Sequence, residues 1–85
     1  MKQDPGYFEG AEPDLIFVAK KLRDAIALET LLNDSGIDYG VEADEYTAGV
    51  VFRTTRVGAF FYVRPEHRDA AVNILLANGY VPLNK

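Results

Sequence analysis

The pattern of apolar and polar positions divides the chain into short, alternating elements. Leu15-Ile16-Phe17-Val18-Ala19 is a five-residue apolar run after Asp14 that ends at Lys20-Lys21. Its shortness and its β-branched and aromatic content predict a strand that is apolar on both faces. Leu22, Ala25, Leu28, Leu32 and Ser35 then recur at spacings of three and four, and Ile26 and Leu31 widen the stripe. This is the period of a helix with one buried face, spanning about Leu22 to Ser35. Asp24 serves as a late N-cap or a first-turn acid, and Gly36 takes the position after the C-cap, with Ile37 folding back against it.

From Asp38 to Tyr46 the period becomes two. Tyr39, Val41 and Ala43 point one way; Asp38, Gly40, Glu42, Asp44 and Tyr46 point the other, and a turn is predicted between Asp44 and Gly49. Val50-Val51-Phe52 begins a further strand, which the stretch Arg53–Gly58 either continues or turns back, with Gly58 as a turn or bulge residue. Ala59–Val63 is a strand, again apolar on both sides. Arg64-Pro65 stops it, and Pro65 suits the first position of a second helix. That helix has Glu66 in its first turn, an apolar stripe of Ala70 or Ala71, Ile74, Leu75 and Leu76, and Gly79 at its end. Tyr80–Leu83 reads as a short edge strand, because Pro82 bars a central one.

The resulting order, β-α-β-β-(β)-α-(β), predicts an α+β fold of the ferredoxin-like split βαβ kind: a mostly antiparallel sheet with two helices on one face. Residues 14–85 form a single α/β domain, and residues 1–13 an irregular lead-in with a turn near Pro5-Gly6. Tyr7 and Phe8 are the lead-in's large apolar groups, available to tack it onto the body.

Two helices cover one face of such a sheet, yet several strands are apolar on both. The second face therefore carries more apolar surface than a soluble monomer usually leaves open. A second copy, another protein chain, or the lead-in through Tyr7 and Phe8 would cover it. The residues expected on that face are Ile16, Val18, Phe60 and Tyr62, with Arg53 and Arg56 at the rim. A one-residue slip would substitute Phe17, Phe61 and Val63. The function this predicts is a small binding or regulatory module that self-associates through its open sheet face.

Composition narrows the chemistry. The 85 residues are 48% hydrophobic and 26% charged, a globular balance, with no apolar run long enough to span a bilayer. No Cys and a single His, His67, leave no disulfide, thiolate nucleophile or multi-histidine metal site, and suit a reducing cytoplasm. No cofactor fingerprint appears among the glycines. Asp38, Glu42, Asp44 and His67 are the groups an enzyme would have to bring together. Glu42, Asp44 and Glu45 offer hard oxygen ligands without the spacing of a calcium loop. The expectation is no enzyme, no metal and no membrane partner.

Net charge is −4, distributed unevenly: residues 1–52 hold 11 acidic against 4 basic residues, residues 53–85 hold 2 against 5. An acidic chain disfavours nucleic acid as a general partner. Even so, Ile16-Phe17-Val18-Ala19 resembles the short first-strand motif of RNA-recognition folds. Arg56–Val63 resembles their third-strand motif in part, with Arg56, Ala59 and Phe60 matching by type and Gly58 standing where a stacking aromatic belongs. That resemblance implies a single-stranded RNA platform in which Phe17 and Phe60 stack on bases while Arg53 and Arg56 hold phosphates.

A second resemblance is closer in length and layout. Phe17-Val18, Ala25 with Leu31-Leu32, Gly36-Ile37-Asp38-Tyr39, and Phe61-Tyr62-Val63 followed by Arg64-Pro65-Glu66 and Ala70-Ala71 resemble small bacterial domains of unknown function described as signal-transducing proteins. About 65 of the 85 residues are covered. The resemblance implies a ferredoxin-like domain without known catalytic residues that binds a partner or a small ligand. This chain differs in its shorter middle and its added Tyr- and Phe-bearing N-terminus.

Overall fold

Strands β1 (Asp14–Ala19), β2 (Gly40–Ala48) and β3 (Thr54–Val63) form an antiparallel sheet in the order β1-β3-β2. Helices α1 (Leu22–Asp34) and α2 (Arg68–Ala77) pack on one face of it, giving the β-α-β-β-α order of a ferredoxin-like α+β domain. The computed structural model describes residues 1–3, 5–8, 12–48 and 54–83. Among these, no helix is long and apolar enough to cross a membrane.

The core follows from the two periodicities. Ala25, Leu28 and Leu32 of α1 and Ala71 and Leu75 of α2 meet Phe61 and Val63 of β3. Tyr39 enters just before β2 and stacks on Phe61 with ring centres 6.0 Å apart. Leu28, Leu32, Tyr39, Phe61, Val63 and Leu75 are all at 0% exposure. Both helices end alike. Gly36 and Gly79 take φ of 72° and 83°, a region that costs little only without a Cβ. The following residues, Ile37 and Tyr80, then donate their amides back to the carbonyls of Leu32 and Leu75 at 3.1 and 2.9 Å. This is the Schellman closure, and it aims Ile37 into the core.

Several expectations are revised. The helix stripe is narrower than its sequence suggests, since Leu22 and Ile26 are 77% and 56% exposed and Leu76 is 57% exposed. Of the two roles open to Asp24 it takes that of first-turn acid, with Lys21 as the N-cap and no side-chain cap. Pro65 opens a separate 3-10 turn, Pro65–His67, that leads into α2. β2 runs on through Ala48 instead of turning at Asp44. Val50, Val51 and Phe52 lie outside the described residues. Gly58 is neither turn nor bulge: β3 is continuous across it, opposite Asp44.

Pairing continues beyond the three strands. Lys2 makes a parallel bridge with Tyr39, and Gln3 donates its amide to the Tyr39 carbonyl at 2.7 Å. On the opposite edge Tyr80–Leu83 runs beside β1 without becoming a strand. Its link to the sheet is the Leu83 amide, which donates to the Ile16 carbonyl at 2.8 Å.

The bulge is in β1. Leu15 pairs with Tyr62 and Phe17 with Phe61, which leaves Ile16 as the extra residue. Both Ile16 and Phe17 then turn to the helix side. Ile16, expected on the second face, is 1% exposed in the core, and Leu15 takes the outward position in its place.

Candidate functional site: the open face of the sheet

The face away from the helices is built in rows that the strand register sets. Leu15, Tyr62 and Gly40 form one row; Val18, Phe60 and Glu42 form the next. Gly58 lies opposite Asp44, and Arg56 opposite Tyr46. Among the described residues neither α1 nor α2 covers these rows, and the 3-10 turn Pro5–Phe8 reaches them at Gly40. Leu15, Val18, Phe60, Tyr62 and Tyr46 are partly exposed, whereas Glu42, Asp44 and Arg56 are exposed. The apolar groups lie along β1 and β3, the acids along β2.

Gly58 is required here by crowding. A Cβ at this position would stand 3.0 Å from the Tyr46 ring and 3.1 Å from a Val18 methyl. Its absence lets Tyr46 lean across β3 towards β1, where the Lys20 ammonium sits 5.4 Å from the ring centre. The face thus carries Glu42 and Asp44 against Lys20 and Arg56. Among the described residues these charges balance, although the chain as a whole is acidic.

At the β2 edge Phe8 reaches the sheet from the 3-10 turn Pro5–Phe8. Its ring lies so close over Gly40 that a Cβ there would be 2.6 Å from Cε2. Beside it opens a cleft of about 330 Å³ lined by Gln3, Phe8, Pro13, Gly40, Val41, Glu42 and Tyr62. The Tyr62 phenol has its pKa pushed up, first by burial and then by the negative charges of Glu42 and Asp44.

The sequence-derived site residues are distributed as follows. Val18, Phe60, Tyr62 and Arg56 share the open face; Ile16 does not. Arg53 and the side chain of Tyr7 lie outside the described residues. The Phe17–Phe60 stacking pair is divided between opposite faces. Phe17 follows the bulge to the core side and meets Tyr80 edge-on at 5.6 Å. Leu15, Tyr46, Gly40 and Gly58 belong to the face and were missed as site residues. Alternation along β2 already put Tyr46 with Glu42 and Asp44, but only the bulge brings in Leu15.

Two of the five basic residues counted in residues 53–85 are engaged within the chain. Arg68 pairs with Asp14 at 3.9 Å and Arg64 with Glu66 at 3.3 Å. Asp38 accepts a hydrogen bond from the Gln3 side-chain Nε2 at 3.0 Å. Among the described residues no group of three or more His, Cys, Asp or Glu side chains is placed to hold a metal ion. Comparison of the chain with protein-family models, with curated proteins and with solved structures gives no match.

Proposed function

We propose that this domain is a non-enzymatic binding module, regulatory in role, that works as a homodimer through the open face of its sheet. The observation that carries the reading is the set of partly exposed Leu15, Val18, Phe60 and Tyr62 on the face of the sheet opposite α1 and α2. A second copy fits it better than an acidic or a basic partner, because Glu42 and Asp44 are balanced by Lys20 and Arg56. A twofold pairing therefore meets no net repulsion on this face. Burying about 500 Å² of apolar surface contributes roughly 12 kcal/mol before the cost of association, which is of similar size. The dimer is accordingly expected to dissociate on dilution.

The regulatory part of the reading draws on the resemblance of residues 14–79 to small bacterial signal-transducing domains, and the absence of Cys suits a reducing cytoplasm. The RNA-platform alternative has less support: its stacking pair is split, and acids flank the remaining aromatics where phosphates would run.

Sedimentation velocity across a dilution series tests the proposal, with Phe60→Lys as the disrupting variant. Glu42 opposite position 60 helps the folded monomer accept the new charge. In a twofold interface the substitution acts twice, and each lost Phe contact is worth about 1.5–3 kcal/mol. The dissociation constant should rise on the order of 100-fold or more. A wild-type protein that stays monomeric at the highest concentrations, or a Phe60→Lys variant that associates as the wild type does, overturns the reading.

A further inference from the structure

The cleft at the β2 edge shares Gly40, Glu42 and Tyr62 with the rows of the open face and adds Gln3, Phe8 and Pro13 to them. Two aromatic side chains, Phe8 and Tyr62, contribute to its walls, and Pro13 adds apolar surface. Glu42 brings a carboxylate to the lining, and Asp44 lies two residues along the same face of β2. Among the described residues its lining contains no Lys, Arg or His. Aromatic faces and carboxylates together attract a cation, and they do so most strongly for one whose charge is spread over alkyl groups and weakly hydrated. An anion would meet the Glu42 carboxylate there and, among the described lining residues, no cationic side chain. A hard metal ion would find too few carboxylates, consistent with the absence of a metal-holding cluster among the described residues.

We propose that this cleft binds a small organic ammonium ion, with Phe8 and Tyr62 against its alkyl groups and Glu42 opposite its charge. The cleft has the size at which small-molecule sites begin. It is also preformed: Gly40 has no side chain, so the Phe8 ring closes directly on the strand and forms one wall. Every lining residue comes from one chain, so the site is complete in the monomer; Tyr62 and Glu42 also belong to the open face, so the second copy proposed above would compete with the ligand for them.

The test is a titration of the isotope-labelled protein followed by amide NMR shifts, using choline and its uncharged isostere 3,3-dimethylbutan-1-ol. Choline is expected to shift the amides of Gly40, Val41, Glu42 and Tyr62 saturably in the millimolar range. The neutral alcohol should bind about fivefold more weakly, the value of one exposed cation–aromatic contact. Glu42→Gln and Phe8→Ala should each weaken choline by a similar factor. Because a dimer would cover Tyr62 and Glu42, choline affinity should fall as self-association sets in and stay constant with protein concentration if the chain remains monomeric. Binding to dilute protein therefore tests this site whether or not the dimer forms. No saturable shift at these amides, equal binding of the neutral alcohol, or an affinity unmoved by Glu42→Gln overturns the proposal.

Discussion

Replacing Gly40 by Ala asks how firmly the N-terminal segment is held on the open face. Gly40 lies in β2 with no left-handed backbone angle, so alanine is by itself compatible with the strand. In a strand, the loss of glycine's unfolded-state freedom should stabilise by about 0.5–1 kcal/mol. The new methyl, however, would stand 2.6 Å from Cε2 and 3.1 Å from Cζ of Phe8. Ordinary contact needs the ring to retreat by roughly 1 Å. Phe8 is the mobile partner, so the cost has a ceiling: it cannot exceed what docking the ring is worth, about 1.5–3 kcal/mol for a well-buried Phe. Gly40→Ala in the natural background should therefore destabilise by about 1 kcal/mol, and in a Phe8→Ala background it should stabilise. The assay is a double-mutant cycle by urea denaturation, with the coupling expected at roughly 0.5–2 kcal/mol. If Gly40→Ala has the same effect in both backgrounds, Phe8 does not rest on this strand, and one wall of the proposed cleft disappears with it.

Two further outcomes test the core. Burial, followed by the charge of Glu29 and its hydrogen bond, pushes the Tyr39 hydroxyl up to about 12 against the ordinary 10.0, partly offset by a hydrogen bond with Asn33. The folded state thus holds this proton more tightly, so its stabilisation is complete below pH 10 and lost as pH rises towards 12. About 2–3 kcal/mol should go over that window, and Tyr39→Phe should flatten the loss in urea midpoints measured across it. Leu28, wholly buried on α1, should cost about 3–5 kcal/mol when replaced by Ala, read from the same denaturation curves; a loss below about 1 kcal/mol would mean the helix does not pack as described.

Much of this architecture is written locally. The 3.6-residue spacing of Ala25, Leu28 and Leu32, the alternation after Asp38, and the two glycines that close the helices each depend on neighbours a few positions away. Element order and the one-sided arrangement of helices follow from those signals, because few packings of such elements bury their apolar stripes. That β1 and β3 carry apolar groups on both sides was equally visible, and so was the open face it implies.

Which residue occupies which face was decided by tertiary contacts. The bulge at Ile16 depends on how β1 registers against β3, with the Leu83 amide taking up the carbonyl of the extra residue. It exchanges Ile16 for Leu15 and carries Phe17 away from Phe60, and a single-residue shift of this kind leaves no mark in a run of five apolar residues. Gly58 looked like a turn because glycine's conformational freedom is its commonest use. Its place here is set by the Tyr46 ring and Val18 arriving from the two neighbouring strands. Composition and periodicity determine which elements form and that one face stays open. Register and long-range crowding determine the pattern of groups on that face, because they depend on pairs of residues far apart in the chain.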